Sequence, residues 1–357
     1  MTVLWIHLAF AFMLSLSARY FSTPSLSLPA GVRPNRLLVL MTALWFCLIS
    51  GIRNNIGDTE MYVHSFLTDN FTWQYVWTND DIGFNIFQKI LKLYTNDPQY
   101  MILITALVTN MLIMTMLYKY ARLFELAVYI YITSGAFIVS MNGIRQYLAT
   151  SMVFAATKYL FEGNWKRYIP VVLFASLFHQ SALILIPIFF IVRRKAWTTS
   201  TLLLLGVAVL IVFGYSQFSE MLFSAIKDTQ YGVYQSLSEG GANVVRVAFY
   251  GLPLIVAYLG REKLSAQFKD IDVIVNMSLI GFVLMLVATQ NWIFARLAIY
   301  FTVYQILLTA WIVKAFRRKD QKLVYLVVLV VYLVYFFYEN VITLGIDYRS
   351  DLIPWFN

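Results

Sequence analysis

Charged residues are scarce in this sequence. They make up 13% of its 357 residues, whereas hydrophobic residues make up 60% and aromatic residues 17%. Soluble domains carry roughly 25% charged residues. No hydrophilic stretch is long enough for a separate soluble domain. The composition therefore excludes a soluble globular protein and predicts a single polytopic membrane domain over residues 1–357.

Residues that hold metals and cofactors are also few. The single cysteine, Cys47, lies in an apolar run, which excludes an internal disulfide and a cysteine-based metal site. Glycine-rich nucleotide-binding patterns are absent, and the three histidines lack metal-binding spacing. We therefore expect no cofactor and no metal. The N-terminal apolar stretch lacks a basic region before it, so we expect a retained first membrane span.

Long apolar stretches recur throughout the sequence. Several are at the short end of what crosses a bilayer as a helix. We predict an all-α polytopic membrane protein with about ten full transmembrane helices and a broken or re-entrant helical hairpin, about 10–12 segments in all. The ten spans are expected at residues 3–18, 37–51, 99–118, 125–140, 143–160, 197–217, 244–259, 271–289, 292–313 and 323–339.

The hairpin is predicted for residues 165–192, which have basic residues at both ends. A bend at residues 178–181 would return both basic clusters to one side of the membrane. With this bend, the positive-inside rule assigns 19 of the 27 basic residues to the cytoplasm and 12 of the 18 acidic residues to the outside. The net charge of +9 is then a topology signal, and we expect no nucleic acid partner. Both termini are predicted to be external.

Two external loops follow from this topology, at about residues 52–98 and 219–243. In the first loop, the sequence FNIFQKILKLY has helical apolar spacing and predicts a helix in the membrane interface. Asp80 and Asp81 precede it and are interpreted as helix-capping residues. The second loop contains Tyr231, Tyr234 and a Gly-Gly pair, and is a candidate cover for a site.

Three arginines and a histidine are predicted to lie at the same outer rim. Arg53 follows an outgoing span, Arg145 opens an ingoing span, His179 lies at the bend, and Arg296 lies one turn into another ingoing span. A guanidinium group matches phosphate oxygens with two parallel donors. The pattern therefore predicts a site for phosphate or pyrophosphate. The alternative is that these side chains anchor helix ends at the interface.

Carboxylates lie close to the first of these arginines. Asp58 and Tyr62 are four residues apart and share a face if the segment is helical, whereas Glu60 points elsewhere. We consider Asp58, Glu60 and His179 candidates for the base that accepts a hydroxyl proton. A solvated loop face or a helix cap is the alternative for the two carboxylates.

Five short motifs then occur in a recognisable order. The sequence RNNIGDTEMY at residues 53–62 resembles the R-x-x-x-G-x-D-x-x-Y loop of the EpsG-like, Wzy-related polysaccharide polymerases of bacterial membranes. DDIGF, GIRQYLA, ASLFHQSALILIP and ARLAIYF follow at residues 80–84, 143–149, 175–187 and 295–301. The Asp-Thr-Glu sequence departs from the family pattern, so either Asp58 or Glu60 is the equivalent carboxylate.

The resemblance implies a glycosyltransferase. Such an enzyme would polymerise undecaprenyl-pyrophosphate-linked oligosaccharides into exopolysaccharide or capsule on the outer face of the bacterial plasma membrane. The growing polysaccharide, membrane lipids, a flippase and chain-length or export proteins are the expected partners. Residues assigned to this activity are Asp58, Glu60 and His179 for catalysis, Arg53, Arg145 and Arg296 for pyrophosphate, and Tyr62 and Gln146 for other substrate contacts.

Other functions remain open at this point. A transporter or flippase for a lipid-linked glycan would use the broken hairpin and the arginines as a path, but its charges should then occur at several depths. An acyltransferase acting on surface sugars is a third possibility. A glycoside hydrolase would use paired carboxylates but needs no arginines at the membrane rim.

Overall fold

The computed structural model describes residues 1–25, 31–226 and 240–352. Regular structure in this part of the chain is helical, as predicted, apart from one antiparallel pair of two-residue strands, β1 (Thr23–Pro24) and β2 (Val32–Arg33). The chain forms two compact units. The first contains Met1–Ile186 and the chain from Thr309 onward, and the second contains Pro187–Leu308. The single membrane domain expected for residues 1–357 therefore stays a prediction.

The α-helices are numbered here in chain order. They are α1 (Thr2–Tyr20), α2 (Arg36–Gly51), α3 (Thr59–Thr68), α4 (Trp73–Thr78), α5 (Ile82–Lys92), α6 (Gln99–Tyr120), α7 (Phe124–Thr133), α8 (Ala136–Asn142), α9 (Ile144–Ala155), α10 (Thr157–Glu162), α11 (Trp165–Ser176), α12 (Leu185–Val192), α13 (Thr199–Phe213), α14 (Tyr215–Ile226), α15 (Val244–Leu259), α16 (Arg261–Gln267), α17 (Ile271–Val287), α18 (Ile293–Ile312) and α19 (Gln321–Phe336). Short 3₁₀ helices occur at Gln180–Ile184 and Val313–Ala315, and a π-helix at Phe337–Thr343.

The first unit is built around α7. Every residue of this helix is buried, and its sequence is apolar around the helix except at Glu125, which pairs with Arg19, and at Thr133. Helices α1 and α19 pack against α7. Helix α2 packs against both α1 and α6, and α6 also packs against α9. The predicted external loop 52–98 contains three short helices, α3 to α5. The predicted helix FNIFQKILKLY corresponds to α5.

Two helices of the first unit break where small or polar residues occur. Helix α7 and helix α8 differ in direction by 56°, and Gly135 between them has a φ of 81°. Helix α11 ends at Ser176, and His179, with extended backbone, precedes the 3₁₀ helix. The break predicted at residues 178–181 is therefore confirmed.

In the second unit, α17 packs against α13 and α15. Val247, Met285 and Phe294 belong to its buried apolar core. The chain turns by 95° between α13 and α14 and by 78° between α15 and α16. Tyr231 and Tyr234, predicted to cover a site, lie outside the described residues.

Four helices in the described chain are long and apolar enough to cross a membrane, namely α1, α6, α18 extended to Ala315, and α19 extended to Thr343. The number rises to seven if each of three bent helix pairs forms one span. This supports a polytopic membrane protein. The predicted count of about ten also needs shorter helices, among them α2 and α17, and it stays a proposal.

Candidate functional site

The loop after α2 has a backbone shape that depends on one glycine. Ile56 and Gly57 both have positive φ values, 87° and 53°. A Cβ atom on Gly57 would lie 2.1 Å from Oδ1 of Asn142. The same oxygen accepts a hydrogen bond from the backbone N–H of Asp58 at 2.8 Å. Glycine therefore lets this loop approach the end of α8 closely.

Arg53 lies buried behind this loop, with 1% of its surface exposed. Its Nε donates to the Thr59 hydroxyl at 3.2 Å, and its terminal nitrogens donate to the carbonyls of Ser50 and Met141. Burial lowers the pKa of Arg53 to about 10, so the side chain stays charged at neutral pH. Several of its donors therefore bind the protein itself, and Arg53 joins the loop to α2 and α8.

The C-terminal segment also holds this loop. The Asn55 side chain donates to the carbonyl of Asp347 at 2.6 Å and accepts from the N–H of Arg349 at 2.8 Å. The Tyr348 hydroxyl donates to a backbone carbonyl in the last turn of α2, and the Ser350 hydroxyl donates to one at the start of the loop. The N-terminal amino group lies 3.8 Å from Asp347. The segment Asp347–Asp351, which we call the C-terminal strap, and the N-terminus thus lie on the same side as the Arg53 loop.

A second cluster joins three of the motifs through the carboxylate of Asp81. One carboxylate oxygen lies 2.9 Å from a terminal nitrogen of Arg145 and 3.2 Å from Nδ1 of His179. The other accepts a hydrogen bond from the backbone N–H of Gln180 at 3.1 Å. The Asp81 side chain is fully buried. A buried carboxylate needs such partners, because losing water is costly for a charge.

The loop that carries Asp81 fits closely against the break after α11. The N–H of Gly83 donates to the carbonyl of Leu177 at 2.7 Å. A Cβ atom on Gly83 would lie 2.8 Å from Cβ of Leu177. Glycine at this position therefore allows the contact that brings Asp81 to His179 and Gln180.

Aromatic rings support the Arg145 guanidinium. Its central carbon lies 5.4 Å from the ring centre of Tyr62 and 5.9 Å from that of Phe84. A cation over a ring face is attracted to it. Phe84 belongs to a buried apolar cluster with Phe66 and Met101. The Arg145 side chain is 36% exposed, so a ligand could reach this cation.

The structure brings together only some of the residues predicted for the site. Asp58 interacts electrostatically with Arg145, so the cluster includes Asp58, Tyr62, Arg145 and His179. Glu60 lies exposed in the first turn of α3.

The other predicted residues lie elsewhere or have different surroundings. Gln146 is buried on α9, next to Arg145 in the chain. Arg296 belongs to the second unit, where its guanidinium lies 4.7 Å from the Trp292 ring centre. Arg53 is part of the loop contacts described above.

The sequence analysis interpreted Asp81 as a helix-capping residue and did not predict its position in the cluster. It occupies the N-cap position of α5, but its side chain does not cap that helix. Its φ of 57° turns the chain. In the part of the chain that the structure describes, no three His, Cys, Asp or Glu side chains could together hold a metal ion.

Comparison with known proteins identifies a family for this chain. Searches of curated proteins and of solved structures found no significant match. A sequence model of the EpsG family matches residues 36–351. The matched region includes all the motifs in the cluster and extends through the C-terminal strap. The chain therefore belongs to the EpsG family, a family of membrane proteins linked to polysaccharide biosynthesis.

Proposed function

We propose that this protein is a glycosyltransferase that polymerises lipid-pyrophosphate-linked oligosaccharides on the outer face of the plasma membrane. The observation that carries the proposal is the cluster of Asp81, Arg145 and His179, which unites three family motifs around one buried carboxylate. Undecaprenyl pyrophosphate is the proposed leaving group, and exopolysaccharide or capsule the product. A flippase and chain-length or export proteins are the proposed partners.

Arg145 is the proposed pyrophosphate-binding residue in this cluster. Its guanidinium pairs with Asp81 through one nitrogen and has further N–H groups. Its buried Nε has no hydrogen-bond partner in the described residues. Buried donors without acceptors are rare, and a phosphate oxygen would be a suitable acceptor. As charge develops on the leaving pyrophosphate, a fixed guanidinium would stabilise it.

The two other arginines have different roles in the proposal. Arg53 holds the loop in shape, since its donors bind Thr59, Ser50 and Met141. Arg296 stays a proposed pyrophosphate contact on the basis of its position in the fifth motif, ARLAIYF.

His179 is the proposed general base. When the ionised Asp81 accepts a hydrogen bond from Nδ1 of His179, Nε2 becomes the basic nitrogen. Nε2 takes the proton of the acceptor sugar hydroxyl, the hydroxyl oxygen bonds to the anomeric carbon of the donor, and the bond from that carbon to the pyrophosphate breaks. Asp81 orients the ring, as the third group does in other base-activated sites.

Two carboxylates remain alternatives for the base. Asp58 interacts electrostatically with the same guanidinium as Asp81 does, and it could orient the acceptor hydroxyl or accept its proton. Glu60 is exposed and would need the loop to close over the donor. Tyr62 and Gln146 are proposed substrate contacts beside Arg145.

The test uses purified protein in lipid with a lipid-pyrophosphate oligosaccharide. We expect longer glycan, and one released lipid pyrophosphate for each new glycosidic bond. Movement of the lipid-linked donor across the bilayer without elongation would support a transporter and reject the polymerase.

Variants then assign the base. His179→Ala should retain donor binding and lose turnover by on the order of a hundredfold or more. Asp58→Asn and Glu60→Gln are compared in the same two measurements, with His64→Ala, an exposed histidine on α3, as the matched control. If turnover falls in Asp58→Asn or Glu60→Gln but not in His179→Ala, that carboxylate is the base. Loss of donor binding in all three would mean that these residues build the site without transferring the proton.

A further inference from the structure

A cavity of about 70 Å³ lies in the second unit beside the turn that joins α12 to α13. Arg194, Lys195 and Thr201 contribute to its polar side. Ile191, Leu204 and Leu279 contribute to its apolar side. Ile191 is itself 53% exposed, so the apolar wall continues onto the outer surface of the helix. Two cations therefore lie at the edge of a surface suited to hydrocarbon.

The turn has a defined shape that α17 maintains. The Asn276 amide donates to the carbonyls of Val192 and Arg194 at 2.9 and 2.7 Å. The Asp272 carboxylate accepts from the N–H of Ala196 at 3.1 Å. These contacts fix the backbone on both sides of Lys195.

Trp197 shows that this shape is under strain. Its φ is 60°, a conformation that bulky residues seldom adopt. Its ring packs against Tyr258, 5.2 Å away between ring centres. Such conformations cost of order 1–3 kcal/mol and persist where surrounding contacts impose them, often at binding sites. We conclude that contacts within this unit impose the conformation of the turn.

The two cations have no carboxylate partner in the described chain. Arg194 and Lys195 are exposed and form no ion pair among residues 1–25, 31–226 and 240–352. The nearby Asp272 is used by the backbone of the turn. The positive-inside pattern places this turn on the cytoplasmic side, where anionic lipids attract basic residues.

From this geometry we infer that the turn between α12 and α13 binds the phosphate headgroup of an anionic lipid. Arg194 and Lys195 contact the phosphate, and the acyl chain lies against Ile191 and Leu279. A free phosphate would leave the apolar wall unused, and a zwitterionic lipid would neutralise less of the positive charge. This site does not include Asp81, Arg145 or His179, and it does not depend on the proposed polymerase activity.

The experiment measures lipid binding to the purified full-length protein in a neutral detergent by native mass spectrometry. Phosphatidylglycerol is the probe, phosphatidylcholine with the same chains is the lipid control, and inorganic phosphate tests the headgroup alone. The variant is R194Q/K195Q. The matched control is R193Q, because Arg193 belongs to the same turn but lies over the Phe189 ring, 5.8 Å away.

We expect the wild-type protein and R193Q to bind phosphatidylglycerol with similar affinity and phosphatidylcholine more weakly. R194Q/K195Q should bind phosphatidylglycerol roughly 30-fold more weakly, from about 1 kcal/mol per basic residue near an anionic surface. Equal affinities of R194Q/K195Q and R193Q would overturn the inference, as would equal binding of the two lipids. If inorganic phosphate binds as tightly as phosphatidylglycerol, the ligand is a free phosphate, and the proposal of a lipid ligand is overturned.

Discussion

Among the single residues of the site, Arg145 has the most connected position. It forms the ion pair with the buried Asp81 and lies over the ring of Tyr62. Removing one partner of a buried ion pair leaves a charge without compensation, which is strongly destabilising. Truncating Arg145 would therefore mix a folding defect with a functional one, and a substitution that keeps the positive charge is more informative.

Arg145→Lys separates these effects. The lysine ammonium can still pair with Asp81, but it lacks the planar group that lies over Tyr62 and the additional donors that a phosphate needs. We expect normal amounts of folded protein and a loss of polymer formation on the order of a hundredfold, as for removal of one charge-stabilising donor. Polymer yield per amount of folded protein measures this.

The control is Arg167→Lys, an exposed arginine over the Tyr159 ring, which should keep full activity. Full activity of Arg145→Lys would show that this arginine only anchors the start of α9.

The sequence predicted some of these residues better than others. Arg145 and His179 were identifiable because charged or titratable residues next to apolar stretches are costly and therefore informative. Asp81 was not, because an aspartate before an apolar helical pattern is usually a cap. Its role depends on a left-handed backbone conformation and on a contact with residues almost a hundred positions away, and neither has a local sequence signal.

At the level of elements, the contact between the Arg53 loop and the end of α8 depends on close packing. Gly57→Ala would place a methyl group 2.1 Å from the Asn142 side chain. It would also put a side chain in the left-handed region, at a cost of about 1 kcal/mol or more. We expect a lower thermal unfolding midpoint and weaker polymer formation.

Gly143 provides a matched control one residue after Asn142. It has no neighbouring atom within 4 Å of an added Cβ, and its φ is negative. Gly143→Ala should therefore leave the midpoint unchanged. Equal midpoints for the two variants would mean that Asn142 moves away without cost and that the loop is not held by this contact.

The C-terminal strap is a second contact between distant elements. Asn55→Ala removes the two hydrogen bonds to Asp347 and Arg349, each with a net value of about 1 kcal/mol. We expect faster hydrogen exchange in residues 347–351 and in the Arg53 loop, measured by mass spectrometry. The control is Asn79→Ala, because the Asn79 side-chain amide donates to the carbonyl of Tyr75 in the preceding helix α4. Unchanged exchange in Asn55→Ala would show that the hydrogen bonds of Asn54, Tyr348 and Ser350 hold the strap without Asn55.

Helices were easier to predict than these contacts. Apolar stretches marked nearly every long helix, and the basic residues around residues 165–192 indicated the break at His179. The strap was not predictable, because residues 347–351 have neither apolar spacing nor a motif. Hydrogen bonds between side chains and distant backbone groups leave no periodic pattern in a sequence.

At the level of the whole molecule, the charge pattern is the basis of the predicted topology. The positive-inside pattern places the Arg53 loop, the start of α9 and the start of α18 on the outer side. Asp347 contacts Asn55 and the N-terminus, so the strap and the N-terminus lie beside this loop. An external position of both termini stays a prediction. The assignment of Arg296 to the outer side comes from the charge pattern alone.

Cysteine labelling in whole cells tests this topology. Starting from Cys47→Ser, single cysteines are placed at Thr68 and Gln290 on the predicted outer side, and at Ser265 and Lys319 on the predicted inner side, all four exposed in the structure. A membrane-impermeant thiol reagent should label Thr68→Cys and Gln290→Cys, and it should label the other two only after the membrane is opened. Gln290 precedes α18, so its labelling would show that Arg296 enters from the same side as the Arg53 loop. If Thr68→Cys is labelled from outside but Gln290→Cys is not, the predicted orientation of α18 is wrong, and Arg296 is not a candidate for a pyrophosphate contact on the outer side.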